Sequence, residues 1–376
     1  FSRILPQLQL IRRFCSMIGT HSGKFHCDEA LACFMLKQLP AFKDYRIVRT
    51  RDPEVLKTCD VVVDVGGVHD HATRRYDHHQ KEFTETMSSL GLLPFNTRLS
   101  SAGLVFAHYG KQVIANRLGI KEDDKMVSIF FHRIYETFIE EVDAVDNGIP
   151  AFDGLPRYHM GGGRSGRVGH LNPAWNEKNV NPDERFIKAS ELVGNELLEA
   201  IDYLAKVWWP AREIVEKAID GRLENDPSGR IISLSDSGGV PWKEHFFELE
   251  EERGLLDLNI AYIVFGEGSD WRVQGIPKSR LSTFDQRISL PKAWCGLRDA
   301  ALAEAAGIEG CVFVHLTGFI GGNRTKEGAL QMAREALRIG SKEEEQQKEQ
   351  ATNGGAKEGS TEEGEVKKMK LQETAA

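Results

Sequence analysis

Asp60-Val61-Val62-Val63-Asp64 is a run of β-branched residues that closes on a carboxylate. It reads as a short buried strand, and Asp77-His78-His79 follows a few residues later. Upstream, Met17-Ile18-Gly19 reads as another strand and runs into Thr20-His21-Ser22-Gly23-Lys24-Phe25-His26-Cys27-Asp28-Glu29. From Asp28 to Leu39, the residues Ala30, Leu31, Phe34, Met35 and Leu36 recur at helical spacing, and Pro40 stops the pattern. Tyr45 to Thr50 is again rich in strand formers. Strands alternating with helices predict a mostly parallel sheet covered on both faces. Ligands of such sheets sit beyond the carboxyl ends of the strands, which is where His21 and Asp64 fall.

Further along, Ser100-Ser101 predicts the cap of a helix that runs to about Leu118. A second helix, about Met126 to Asp146, is expected to bury Ile129, Tyr135, Phe138, Val142 and Val145. It places Asp143 and Asp146 on one face, and Gly148 and Pro150 end it. Residues 154–180 are rich in Gly, Pro and Asn and read as a long loop or linker. Pro182 to about Asp220 is mostly helical. Strands are expected near Arg230–Leu234, Ile260–Phe265, Trp271–Ile276 and Cys311–His315, with a closing helix from Thr325 to about Ile339. The predicted fold is α/β. A metal-binding domain with a mostly parallel sheet spans 18–150, a linker spans 151–182, and a smaller mixed α/β substrate-binding domain with a long helix spans 183–340.

The ends differ from the middle. Residues 1–17 carry Arg3, Arg12 and Arg13 and no acid, the pattern of a mitochondrial presequence. From residue 341 to 376 hydrophobic residues almost vanish, so a disordered tail is expected. Its Lys367-Lys368-Met369-Lys370 is a short basic cluster of nuclear-signal type.

A chain of 376 residues is long enough for two domains with cores of their own. Its 41% hydrophobic and 28% charged content places it with ordinary globular proteins. A net charge of -8 excludes a globally basic nucleic-acid binder but leaves a local basic groove open. No apolar run reaches the length of a membrane span, so a soluble protein without a membrane partner is expected. The six cysteines form no Cys-x-x-Cys pair, which argues against a thiolate zinc site and for reduced thiols in an intracellular compartment.

His21, His26, Asp28, Asp64, Asp77, His78, His79 and one of Asp143 or Asp146 are imidazole and hard-oxygen groups. Each alone has an ordinary explanation as a loop or core residue. Together they are what a pair of divalent metals requires, and paired metals are the usual machinery for breaking phosphate esters. Mixed carboxylate and imidazole sites suit Mn²⁺ first, with Mg²⁺ or Zn²⁺ as alternatives. A second phosphate candidate is Gly318-Phe319-Ile320-Gly321-Gly322-Asn323-Arg324, read as a loop between a strand and a helix. Backbone N–H groups at Gly321 and Gly322 are expected to cradle an anion, with Asn323 and Arg324 adding side-chain donors. The match of Gly161-x-Gly163-x-x-Gly166 to a dinucleotide fingerprint is a decoy, because no strand leads into it. Trp175, Trp208, Trp209, Trp271 and Trp294 are candidates for base stacking, with core packing as the plainer reading.

The order His-x-x-x-x-His-x-Asp, Asp-x-Gly-Gly, Asp-His-His and a helix-terminal Asp resembles the DHH phosphoesterase superfamily. Gly19-Thr20-His21-x-Gly23-x-Phe25-His26-Cys27-Asp28-Glu29, Val63-Asp64-Val65-Gly66-Gly67 and Tyr76-Asp77-His78-His79-Gln80 narrow the match. So do Glu140-Glu141-Val142-Asp143-Ala144-Val145-Asp146-Asn147-Gly148 and Gly318-Phe319-Ile320-Gly321-Gly322. These motifs are similar to the melanocyte-proliferating-gene family of 3′–5′ RNA exonucleases of nucleus and mitochondrion, over about Ile18 to Ile339. The resemblance implies two metals, one on His21, His26 and Asp64, the other on Asp28, Asp64, His78 and Asp146, with Asp143 in reserve. It implies that His79 contacts the phosphate or leaving group and that Asp77 orients the histidine pair. Metals about 3.5–4 Å apart would activate a water for in-line attack on phosphorus. The superfamily often carries a histidine where Asn323 stands. Single-stranded RNA is the implied substrate, single-stranded DNA a further one. The alternatives are a hydrolase of pyrophosphate or short oligonucleotides, and a non-enzymatic, metal-stabilised RNA-binding or regulatory protein.

Overall fold

A computed structural model of the chain describes residues 16–158, 160–234, 238–282, 284–343 and 345–346. The presequence-like arm, apart from its last residues, and nearly all of the 341–376 tail lie outside these. The chain divides into two compact units, one up to Lys206 and one from Val207.

The first unit is built on a sheet of five strands. They are β1 (Met17–Thr20), β2 (Arg46–Arg49), β3 (Val61–Val63), β4 (His69–Asp70) and β5 (Arg75–Tyr76), in the order β2-β1-β3-β5-β4. All neighbours are parallel except β4, which runs against β5. Between β1 and β2 lies α1 (Cys27–Lys37), where the apolar spacing seen in the sequence buries Ala30, Leu31, Met35 and Leu36 completely. α2 (Pro53–Thr58) connects β2 to β3. α3 (Ser101–Leu118) starts as expected with Ser100 as its cap, the side chain accepting from the Ala102 N–H, and stops at Gly119 in the left-handed region. The second predicted helix is α4 (Lys125–Ile134), a π-helical turn at Tyr135–Ile139, and α5 (Glu140–Asp146). Val145, expected in the core, is 51% exposed, because the last turn of α5 forms the rim of a cleft.

The expected domain linker at 151–182 does not divide the molecule. It belongs to the first unit, as does the long helix after it. It contains a short helix, α6 (Arg164–Gly169), with Arg164 paired to Glu141 and Arg167 to Glu196. Asn172 ties the loop down by accepting from the Phe25 N–H at 2.9 Å and donating to the Phe25 carbonyl at 2.8 Å. α7 (Pro182–Tyr203) then seats on α1. The Ser190 hydroxyl donates to the Ala30 carbonyl at 2.7 Å. Gly194 faces Phe34 so closely that a Cβ there would lie 2.0 Å from the ring.

The second unit holds α8 (Trp209–Asp220), α9 (Arg222–Asn225) and α10 (Trp242–Glu252). It also holds β6 (Ile231–Ser233), β7 (Tyr262–Glu267), β8 (Asp270–Gly275), β9 (Cys311–Val314), β10 (Ile320–Asn323) and α11 (Asp299–Ala306). Residues 326–343 form the closing helix. The sheet order is β6-β7-β8-β10-β9, with only β6 and β7 parallel. Two apolar clusters use alternate strand residues: Ile232 and Ile263 pack with Phe246 and Ile219, whereas Val264 and Val273 pack with Leu302 and Met332. This is the smaller mixed α/β half expected from the sequence. Among the described residues, no helix is long and apolar enough to cross a membrane.

Candidate metal centre

Three adjacent parallel strands end at one edge of the first sheet. β1 delivers His21, β3 delivers Asp64, and β5 delivers Asp77, His78 and His79. The first turn of α1 brings Asp28, and the last residue of α5 is Asp146. Asp64 has φ 58, a left-handed conformation that Asp tolerates better than most residues, and Gly66 and Gly67 continue the reversal. That turn points the carboxylate back across the strand ends.

The Asp64 carboxylate lies 3.3 Å from His21 Nε2 and 3.2 Å from His78 Nε2. His78 Nε2 is also 3.1 Å from Asp146 and 4.0 Å from Asp28. His21 Nε2 is 2.9 Å from Glu29. Three groups of donor atoms converge within 4.8 Å: His21, His26, Glu29 and Asp64; Asp64, His78 and His79; and His26, Asp28 and Asp146. Asp28 Oδ1, Asp64 Oδ1 and both ring nitrogens of His78 are buried without a hydrogen-bond partner. Orphaned buried groups are expensive, and here they are carboxylates and imidazoles facing one another. Divalent cations would satisfy the two carboxylate oxygens and the His78 Nε2 that faces them, so the donor set fits hard or borderline metals of the kind expected.

Protons hold the cluster in the absence of a cation. Burial, reinforced by Asp64, Asp146 and Glu29, pushes the Asp28 carboxyl well up. Burial lowers the His21 imidazole, but bonds and charge from Asp64 and Glu29 outweigh it and raise it to about 10. For His78, burial is likewise outweighed by Asp146 and Asp64, which raise it to about 9. Asp64 is pushed up by burial and pulled down further by His21 and His78, to about 2. A cation binding at neutral pH must therefore expel protons from His21 and His78. The expected result is release of about two protons per metal-loading event and an affinity that rises with pH until those imidazoles are neutral. Calorimetry in buffers of different ionisation enthalpy measures this, and an affinity flat between pH 6 and 8 would count against it.

Asp77 and His79 sit differently. His79 Nδ1 lies 2.7 Å from Asp77, whose other oxygen accepts from the Gly67 N–H at 2.6 Å. The Asp77 bond raises the His79 imidazole, and the ring stays largely exposed at the cleft. Asp143 is not brought to the cluster. It is completely buried and accepts from Ser100 N and Oγ, Gly103 N and the Tyr135 hydroxyl at 2.7–3.0 Å. Its place as reserve ligand is taken by this structural role, and Asp146 is the aspartate that reaches His78.

The glycine-rich loop expected to cradle phosphate is mostly strand. Gly321 and Gly322 are paired on both sides, with β8 and with β9, so their backbone is committed to the sheet. Asn323 is completely buried, donating to the Glu309 carbonyl at 2.8 Å and accepting from the Thr325 N–H at 3.0 Å. It braces the turn before the closing helix, whose first-turn Gly328 N–H donates to the Thr325 hydroxyl at 3.0 Å. Arg324 is exposed. Of the tryptophans, Trp208 and Trp294 are buried and Trp175 is 97% exposed.

Two residues escaped the sequence reading. Glu29 caps α1, accepting from the His26 N–H at 2.9 and 3.0 Å, while its carboxylate also faces His21. The spacing of His26 and Glu29 is that of a capping box, which is the signal that was available. Arg98 donates to the His78 carbonyl at 2.6 Å, and its own carbonyl accepts from Asn147 at 2.9 Å. No motif marks it. Above the cluster is a cleft of about 670 Å³ lined by Lys24, His79, Arg98, Val145 and Asp146 among others.

Residues 17–337 match the model MYG1_exonuc, an uncharacterised protein family (UPF0160). A MYG1 protein of Caenorhabditis elegans is 57% identical over 327 residues, covering 86% of this chain and 96% of its own length. The MYG1 exonuclease of Homo sapiens is 50% identical over 324 residues, covering 85% of each chain. Among solved structures, RecJ of Thermus thermophilus in complex with Mn²⁺ is 15% identical, with 90% of this chain and 54% of that one covered. Its TM-score of 0.23 is too low a likeness to bear on fold or chemistry.

Proposed function

The chain belongs to the MYG1 exonuclease family, and on that premise we propose that it is a metal-dependent exonuclease that shortens single-stranded RNA from its 3′ end. The observation that carries the reading is the convergence of buried Asp28, Asp64 and His78, whose facing oxygens and nitrogens make no well-formed hydrogen bond, with Asp64 and His78 lining an open cleft. The name of the human relative supports exonuclease action. RNA as substrate and the 3′ start rest on the motif resemblance.

His21, His26, Glu29, Asp28, Asp64, His78 and Asp146 would hold divalent cations, Mn²⁺ first among them, which supply a water of lowered pKa and offset phosphate charge. The chain's own groups do the rest. Asp77 fixes one nitrogen of His79 and holds the other toward the cleft, where it can donate a proton to the leaving oxygen. Arg98, anchored on the His78 carbonyl, lines the same cleft and suits a phosphate oxygen. Arg98→Ala is expected to raise KM for RNA about ten- to a hundredfold, the loss of one charge-assisted hydrogen bond worth about 1.5–3 kcal/mol. The metal affinity should stay the same, and initial-rate kinetics with a parallel metal titration checks both.

The deciding assay uses single-stranded RNA labelled at either end, with pyrophosphate alongside, in Mn²⁺. Stepwise loss of nucleotides from the 3′ end supports the proposal. Turnover of pyrophosphate with RNA left intact, or shortening from the 5′ end, overturns it. The proposal includes residence in mitochondrion and nucleus, supported by the arginine-bearing start and the basic cluster at Lys367-Lys368-Met369-Lys370. A fluorescent fusion tests it.

A further inference from the structure

Next to the metal centre, in the same unit, is a second cavity of about 570 Å³. This is within the range of roughly 300–1,000 Å³ usual for small-ligand sites. Its floor is aliphatic: Leu56 and Val62 belong to a small core cluster of their own with Cys59, Val65 packs against it, and Val68 is 47% exposed at the edge. Two guanidiniums, Arg51 and Arg75, border it. Arg75 lies opposite Val62 in the β3–β5 pairing and is held by the main-chain carbonyls of Cys59 and Thr73 through its two terminal nitrogens, with Nε making no hydrogen bond among the described residues. Arg51 donates to the Ser22 carbonyl at 3.1 Å and lies 3.2 Å from His21 Nδ1. Among the described residues, neither guanidinium is paired with a carboxylate. Lys57, the third cation at the cavity, is already paired with Glu54 at 2.7 Å.

Two uncompensated guanidiniums beside an apolar floor, open to solvent, call for a ligand with a compact polyanionic end and a flat apolar body. A fatty acid carries one charge and needs a longer channel. A phosphate ester of an aromatic heterocycle meets both halves, because guanidinium groups fork onto phosphate and stack on planar rings. We propose that this cavity binds a nucleoside monophosphate, with the phosphate at Arg51 and Arg75 and the base over Val62, Val65 and Val68. The site is separate from the metal centre and needs no metal. Arg51 touches both, which gives an occupant a direct contact with the loop that carries His21.

The test is titration of AMP into the full chain in EDTA, followed by calorimetry, with adenosine and inorganic phosphate as separate arms. Saturable binding of AMP is expected, at least tenfold tighter than either fragment. Arg75→Gln removes one charge but keeps a donor, and Val68→Glu places an anion at the exposed rim. Each should weaken AMP at least tenfold, with circular dichroism confirming an unchanged fold. The inference falls if AMP binds only when Mn²⁺ is present, because the metal centre is then its site. It falls equally if phosphate alone binds as tightly as AMP, or if neither substitution matters. None of these outcomes depends on whether the protein degrades RNA.

Discussion

Asp64→Asn is expected to abolish metal-dependent hydrolysis, with a loss of about 1,000-fold or more, while the protein stays folded. The carboxylate belongs to two of the three donor groups and is shared between His21 and His78. Asparagine keeps the shape and is at ease in the left-handed backbone that this position requires, so the loss is one of charge rather than of fold. Without a cation, Asp64 is the ionic partner that helps raise the His21 and His78 imidazoles, and they in turn pull its carboxyl down to about 2. The amide should therefore lower the thermal midpoint in EDTA without unfolding the chain, and remove the stabilisation that Mn²⁺ gives to the parent. Melting curves with and without Mn²⁺, beside the RNA assay, separate these effects. Retained hydrolysis would mean that the centre is elsewhere.

Asp143→Ala is expected to do the reverse. Deletion of this carboxylate leaves the Ser100 and Gly103 N–H groups, the Ser100 hydroxyl and the Tyr135 hydroxyl without their acceptor in the core. Such a deletion costs about 3–5 kcal/mol, enough to unfold a marginal protein. Gly103 shows how tightly the carboxylate is held, since a Cβ there would lie 2.3 Å from Asp143 Oδ2. Urea unfolding measures the loss. Asp146→Ala is the counterpart, with a near-normal midpoint and weakened metal binding. If Asp143→Ala were as stable as the parent but failed to bind metal, the assignments of the two aspartates would have to be exchanged.

β1, β2 and β3 of the first sheet were legible from their strand-forming residues, and its first helix from its apolar spacing, whereas β4 and β5, two residues each (His69-Asp70 and Arg75-Tyr76), carry no such signal. Chemistry placed at strand ends follows from that order for His21 and Asp64, whereas His78 was marked by its Asp-His-His motif and not by a strand before it. Other features had no local signal. Ile320-Gly321-Gly322-Asn323 lacks the residues that favour a pleated surface. It is a strand because glycine allows close approach: a Cβ on Gly321 would lie 3.0 Å from the Phe313 carbonyl. The loop at 151–182 has a linker's composition, but Asn172 and the seat of α7 on α1 hold it in the first unit. Those contacts join residues more than a hundred positions apart. Arg98 is a lone arginine between motifs, and only its hydrogen bond to the His78 carbonyl gives it meaning.

Position 64 carries two demands at once. Its backbone admits Gly, Asn and Asp with little strain, and its chemistry requires a negative oxygen. Only aspartate satisfies both. Glutamate would bring the charge but resist the dihedral, and the other two would accept the dihedral without the charge. Mutational drift at this position therefore has no neutral neighbour to pass through. A descendant that loses Asp64 loses the metal chemistry in a single step while keeping the fold intact, which is the simplest route from this scaffold to a protein that binds without cutting.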